Sequence, residues 1–173
     1  MWYYDSVKFV SGMGLFNGTG DGTFSPFDKM TRGMLVTVLH RFNGVEEEFT
    51  GYFEDVDNTK WYSNGVFWAA ENKIVTGYDD GSFKPDNNIT REQLALILYR
   101  YTKFAGYDIG SYEDIDEFSD VDSISSFAAE SMKWAVSEGL ITGKGNGILD
   151  PKGEASRAEV ATILMRFIEL LAN

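Results

Sequence analysis

One internal repeat constrains this chain more than any other feature. A hydroxyl-arginine pair occurs as Thr31-Arg32, Thr90-Arg91 and Ser156-Arg157, at offsets of 59 and 66 residues. The same offsets superpose Trp2 on Trp61, Val7 on Val66, Gly18 on Gly77, Asp21 on Asp80, Gly22 on Gly81, Phe24 on Phe83, Pro26 on Pro85, Arg41 on Arg100 and Phe42 on Tyr101. In the third copy these positions hold Phe127, Met132, Gly143, Asn146, Gly147, Leu149, Pro151, Arg166 and Phe167. Fixed-period similarity of this kind marks a repeat architecture, in which each copy covers its neighbour's apolar face.

Each copy parses as helix, loop, helix. In copy two the first helix is predicted from about Trp61 to Lys73, with Val66, Phe67, Ala70 and Ile74 at helical spacing. The loop Thr76–Pro85 is rich in glycine and aspartate, residues that favour tight turns. A second helix opens at Thr90, where Thr90-x-x-Gln93 fits a capping box, as does Ser156-x-x-Glu159. Thr31-x-x-Met34 retains only the cap. Stripes Leu35-Val38-Leu39-Phe42, Leu94-Ile97-Leu98-Tyr101 and Val160-Ile163-Leu164-Phe167 make each second helix amphipathic. Trp68 and Trp134, with Phe9 in register, fall on the first-helix stripe and are expected in the core.

The expected fold is all-α: three helix–loop–helix repeats in a pseudo-threefold assembly around a central helical bundle. The copies are placed at residues 1–44, 53–104 and 118–171, together one module. The connections, Asn43 to Tyr52 and Ala105 to Glu117, are polar and short. Copies two and three share an entry segment, Phe53-Glu54-Asp55-Val56 and Phe118-Ser119-Asp120-Val121, that copy one lacks; copy one reads as clipped at its N-terminus.

Composition narrows the function. The net charge of −12 argues against a nucleic-acid binder, because phosphate neutralisation needs clustered Lys and Arg. With no cysteine there are no disulfides, thiolate metal sites or Cys nucleophile. No apolar run is long enough to suggest membrane insertion, and the start Met1-Trp2-Tyr3-Tyr4-Asp5 is not a signal peptide. The lone His40 has no second His or Cys to share a metal, and no nucleophile-elbow sequence accompanies it. The Asp-Gly loops lack the alternation and the twelfth-position Glu of a calcium loop. No catalytic residue, cofactor or metal is expected; a glycosidase built on repeat-related carboxylates is a weaker reading than solvated turns.

The pattern Phe-x-Asp-Val, Trp, Gly-Tyr-x-Asp-Gly-x-Phe-x-Pro, Thr-Arg-Glu-Gln resembles the surface-layer homology (SLH) motif. The resemblance covers almost the whole chain and is fullest in copy two. It implies a three-motif helical module on the bacterial cell surface that binds a secondary cell-wall polysaccharide, often pyruvylated, in grooves between motifs. It also implies a binding role for the stretch opening each second helix: Thr31-Arg32-Gly33-Met34, Thr90-Arg91-Glu92-Gln93 and Ser156-Arg157-Ala158-Glu159.

Candidate glycan-binding residues follow. Arg32, Arg91 and Arg157 occupy the first position of a capped helix, where free amides and the helix dipole are expected to favour an anion. A guanidinium there adds a forked donor for a carboxylate. The competing reading is a salt bridge to a loop acid such as Asp80 or Asp21. Trp2 and Trp61 are candidate sugar platforms, and the loops Asp21-Gly22 and Asp80-Gly81 candidate polar contacts. Because copy two carries the fullest motif, Arg91→Ala is expected to weaken wall binding most. The expected partner is a secondary cell-wall polysaccharide or peptidoglycan, met by a monomeric module of a larger exported chain. The alternative is a protein–protein assembly module using the same grooves for a peptide.

Overall fold

A computed structural model describes residues 1–51 and 53–172; Tyr52, at the end of the first connection, lies outside the described residues. Among the described residues there are six α-helices and no strand: α1 (Tyr4–Gly12), α2 (Arg32–Asn43), α3 (Ser63–Glu71), α4 (Arg91–Phe104), α5 (Ala129–Ser137) and α6 (Arg157–Leu171). The fold is all-α, two helices per copy. The first helix of copy two is shorter than the sequence pattern suggests. Trp61 precedes it in a turn, and Lys73, at φ 59°, ends it beyond the cap residue Asn72.

The second helices carry the caps read from sequence. Thr90 and Ser156 complete reciprocal boxes with Gln93 and Glu159, whereas Thr31 only accepts from the amide of Met34.

The copies close a ring. Each second helix packs on the first helix of the next copy: α2 on α3, α4 on α5, and α6 back on α1. Tight approach along the first of these pairs explains Gly65, where a Cβ would lie 3.0 Å from the Thr37 backbone. Near the amino ends of the second helices, three single residues pair in a closed backbone cycle. The Met30 amide donates to Ala155, Ala155 donates to Ile89, and Ile89 donates to Met30, at 3.0, 3.0 and 2.8 Å. At the other end, Phe42, Tyr101 and Phe167 meet in sequence, with ring centroids 6.0 and 5.8 Å apart. The second helices thus surround the pseudo-threefold axis, joined by backbone at one end and aromatic rings at the other.

The core follows the stripes. Trp68, Trp134, Phe167, Leu94 and Leu164 are buried, and Phe9 is partly buried against them. Each such aliphatic or aromatic side chain contributes about 1.5–3 kcal/mol through removal from water. No helix among the described residues is long and apolar enough to cross a membrane.

Candidate glycan-binding grooves

The entry aspartates organise the loops. Asp55 accepts from the amides of Phe83 and Lys84, and Asp120 from those of Leu149 and Asp150. Those two bonds hold the Asp120 carboxyl below its ordinary range despite a burial cost. In copy one the loop is tied by the hydroxyls of Thr19, Thr23 and Ser25.

The three repeat arginines are 6, 4 and 5% exposed, and each reaches into the loop of the following copy. Arg32 Nε donates to the Phe83 carbonyl at 2.9 Å, Arg91 Nε to Leu149 at 3.0 Å and Arg157 Nε to Phe24 at 2.8 Å. Arg91 and Arg157 give a second bond, from a terminal nitrogen to Thr142 and Asn17. Desolvation lowers all three guanidinium pKa values from the ordinary arginine value, although arginine stays charged.

The expected free amides at these helix starts are not free. The amides of Arg32, Arg91 and Arg157 donate to the carbonyls of Asn87, Gly153 and Asp28, and the next amides to Pro85, Pro151 and Pro26. The neighbouring copy's loop fills the position where an anion would sit, so any anion site must be built from side chains. The competing salt bridge to a loop acid is also absent among the described residues for Asp21 and Asp80. Asp80 instead accepts from Ser82 and pairs with Lys84, which brings its pKa to about 2.

What each arginine does is line a groove. The first groove, about 320 Å³, lies along the loop and second helix of copy one and is lined by Arg157, Arg41 and Trp61. The second, about 360 Å³, lies along copy two and is lined by Arg32, Arg100 and Phe127. The third, about 510 Å³, lies along copy three and is lined by Arg91, Arg166 and Trp2. Each groove therefore takes its first arginine from the preceding copy, its second from its own second helix, and its aromatic from the following copy. The aromatics are solvent-facing: Trp2 is 63%, Trp61 60% and Phe127 55% exposed. Asp21, Gly22 and Asp80 sit at exposed loop tips away from these linings, and Gly81 borders a separate hollow beside Phe53 and Phe67.

Sequence reading missed the second arginine of each pair and Phe127 as a groove wall. The signal was present: Arg41, Arg100 and Arg166 obey the same offsets as the helix-start arginines. His40 is removed from the grooves' linings. It packs on Trp68 with centroids 5.3 Å apart, and its Nε2 has no partner among the described residues. Burial, helped by Arg41, lowers its pKa.

The family model of the S-layer homology domain matches residues 1–33, 52–95 and 117–161. Relatives include an endoglucanase of Bacillus sp. (strain KSM-635), 31% identical over 99% of this chain and 18% of its own length. An amylopullulanase of Thermoanaerobacterium thermosulfurigenes is 29% identical over 99% of this chain and 9% of its own length. A surface-layer 125 kDa protein of Lysinibacillus sphaericus is 26% identical over 95% of this chain and 14% of its own length. The chain thus spans less than a fifth of each of these relatives.

Proposed function

Because the chain belongs to the S-layer homology domain family, in which it is a bacterial cell-surface anchoring module, we propose that it binds an acidic, pyruvate-ketal-bearing wall polysaccharide in the grooves between its copies. Relatives whose names are those of surface-layer and middle cell wall proteins support the location. The relatives named as glycanases are five or more times longer than the matched segment, so their chemistry resides elsewhere in those chains.

One observation carries the reading. In all three grooves, two arginines and one exposed aromatic converge on a hollow of ligand size. The aromatic face suits the C–H face of a sugar ring. The helix-start arginine is held through its Nε by a loop carbonyl, so little rotamer freedom remains to be lost on binding. A guanidinium fixed in this way presents planar donors to a ketal carboxylate. Such local cations are needed, because the chain as a whole carries −12 and repels an acidic polymer at long range.

The test is co-sedimentation with purified wall sacculi before and after extraction of the secondary polymer. Binding is expected to be lost on extraction. Retention on extracted sacculi would instead make peptidoglycan or a wall protein the partner.

A further inference from the structure

The second groove does not end at Phe127. A further hollow of about 320 Å³ lies beyond it, and the two share Leu96, Arg100 and Phe127 as walls. The far hollow adds Lys103, from the last turn of α4, and Glu130, from the first turn of α5.

Arg100 stands between the two hollows. Its counterpart Arg41 donates to the Leu15 carbonyl, and Arg166 donates to Gly139 and Leu140. Arg100 makes no hydrogen bond or ion pair among the described residues, and no carboxylate offsets its desolvation. The terminal nitrogens of Arg32 are likewise without a hydrogen bond among the described residues; that guanidinium lies over the rings of Phe83 and Tyr78, 4.6 and 4.9 Å from their centroids. Lys103 Nζ lies 4.2 Å from the Tyr99 centroid and forms no ion pair among the described residues. At the register of Lys103, copy one has Gly44 and copy three has Glu169; at that of Glu130, copy two has Asn64 and copy one Asp5. The continuation beside the second groove is therefore the one that holds a cation, whereas the corresponding positions beside the third are both acidic.

We propose that the second groove is a two-subsite channel for an acidic saccharide of at least two residues. The first acidic group lies between Arg32 and Arg100, the chain passes over Phe127, and the next acidic group meets Lys103. This rests on the glycan-binding reading above and adds to it the length and charge spacing of the ligand.

The test uses the 173-residue chain and two synthetic probes: a monosaccharide bearing one pyruvate ketal, and the matched disaccharide bearing one on each residue. By calorimetry, wild type is expected to bind the disaccharide at least tenfold more tightly. Lys103→Gln, which keeps the helix, should leave monosaccharide affinity within twofold and erase most of that tenfold gain. Glu130→Gln should move the disaccharide the other way, tightening it about threefold. Monosaccharide binding with no disaccharide gain, or a gain indifferent to both variants, overturns the two-subsite channel and leaves the glycan-binding reading standing. Failure of wild type to bind either probe overturns both.

Discussion

The second and third grooves are built from the same register positions and differ in charge. At the third position of the second helix, copy two has Gln93 and copy three has Glu159. Glu159 lines the third groove, 4.0 Å from Arg91 and 3.6 Å from Lys144. Gln93 lines the second and spends its amide on the Tyr78 hydroxyl. The third groove thus pairs Arg91 with a carboxylate of its own lining, whereas Asp79 in the lining of the second makes no ion pair with Arg32 or Arg100 among the described residues. The difference teaches that a repeated fold can keep three hollows in register while pairing the charges that line each one differently.

The comparison extends to the walls. Glu92, 3% exposed, accepts from the amide and hydroxyl of Ser125 and from Lys152 at 2.6 Å. Ser125 precedes the short turn that carries Phe127, so this clasp fixes the aromatic wall of the second groove. Copies one and three have Gly33 and Ala158 at the same position. Glu92→Ala should give the largest effect, destabilising the chain by about 3 kcal/mol, since charge-assisted bonds contribute about 1.5–3 kcal/mol each. For a chain of this size that lowers Tm by roughly 6–12 °C. An unchanged melting curve would show that the wall stands without its clasp.

Arg100→Ala against Arg166→Ala tests the grooves directly. Loss of Arg100, which has no hydrogen bond or ion pair among the described residues, should weaken binding of the pyruvylated monosaccharide by about 2 kcal/mol, roughly thirtyfold. Loss of Arg166, already committed to two carbonyls, should cost under threefold. Thermal unfolding measured alongside separates lost contacts from lost fold. Equal losses would erase the distinction between the grooves.

Removing the internal carboxylate should sharpen it from the other side. Glu159→Gln preserves the capping box, as Gln93 shows, and is expected to strengthen ligand binding in the third groove about fivefold. Titration followed by tryptophan fluorescence in a Trp61→Phe background reads that groove, because Trp2 lines it and faces solvent while Trp68 and Trp134 are buried.

The same residue sets a pH dependence. Burial raises the Glu159 pKa, but hydrogen bonds from Ser156 and the charges of Lys144 and Arg91 outweigh it, and the net shift is downward. A carboxylate held below its unfolded value adds stability that is complete above the usual carboxylate range, about pH 4.3, and is lost as pH falls through the lowered value. Wild type should therefore lose more stability than Glu159→Gln between pH 5 and pH 3 in urea titrations. Parallel curves would mean the Ser156 and Lys144 contacts do not persist in solution.

Salt should have the smallest effect. Screening weakens the long-range repulsion between an acidic chain and an acidic polymer, while the close guanidinium contacts are shielded from bulk ions. Affinity for intact polymer is expected to stay flat or rise from low to physiological ionic strength. A steep fall would require an extended basic surface.

Much of the fold was legible because the apolar stripes, cap residues and loop glycines each obey one offset, and local rules govern all of them. Ring closure was suggested by the need of each stripe for cover. What could not be read was who serves whom. The amides of Arg32, Arg91 and Arg157 were expected to be open, yet the neighbouring loop occupies them; a hydrogen bond across copies leaves no mark on local sequence. For the same reason Arg91, assigned by sequence to copy two, lies in the groove of copy three. Phe127, aligned with Trp2 and Trp61 but not named with them as a sugar platform, matches them in exposure and placement.

The backbone cycle through Met30, Ile89 and Ala155 also has a kinetic side. The arginine-to-loop ties span 51 residues from copy one to two and 58 from copy two to three, but 133 from copy three back to one. Loop-closure entropy grows only with the logarithm of length, so the longest tie costs about 0.8 kcal/mol more than either of the others. Speed is affected far more than balance, since distant pairings are the slow ones to find. The first two seams can assemble as soon as their copies are available. The last waits for Ser156-Arg157 and α6, so in a chain emerging from its amino end the three copies stay an open arc, with α1 uncovered, until α6 has appeared.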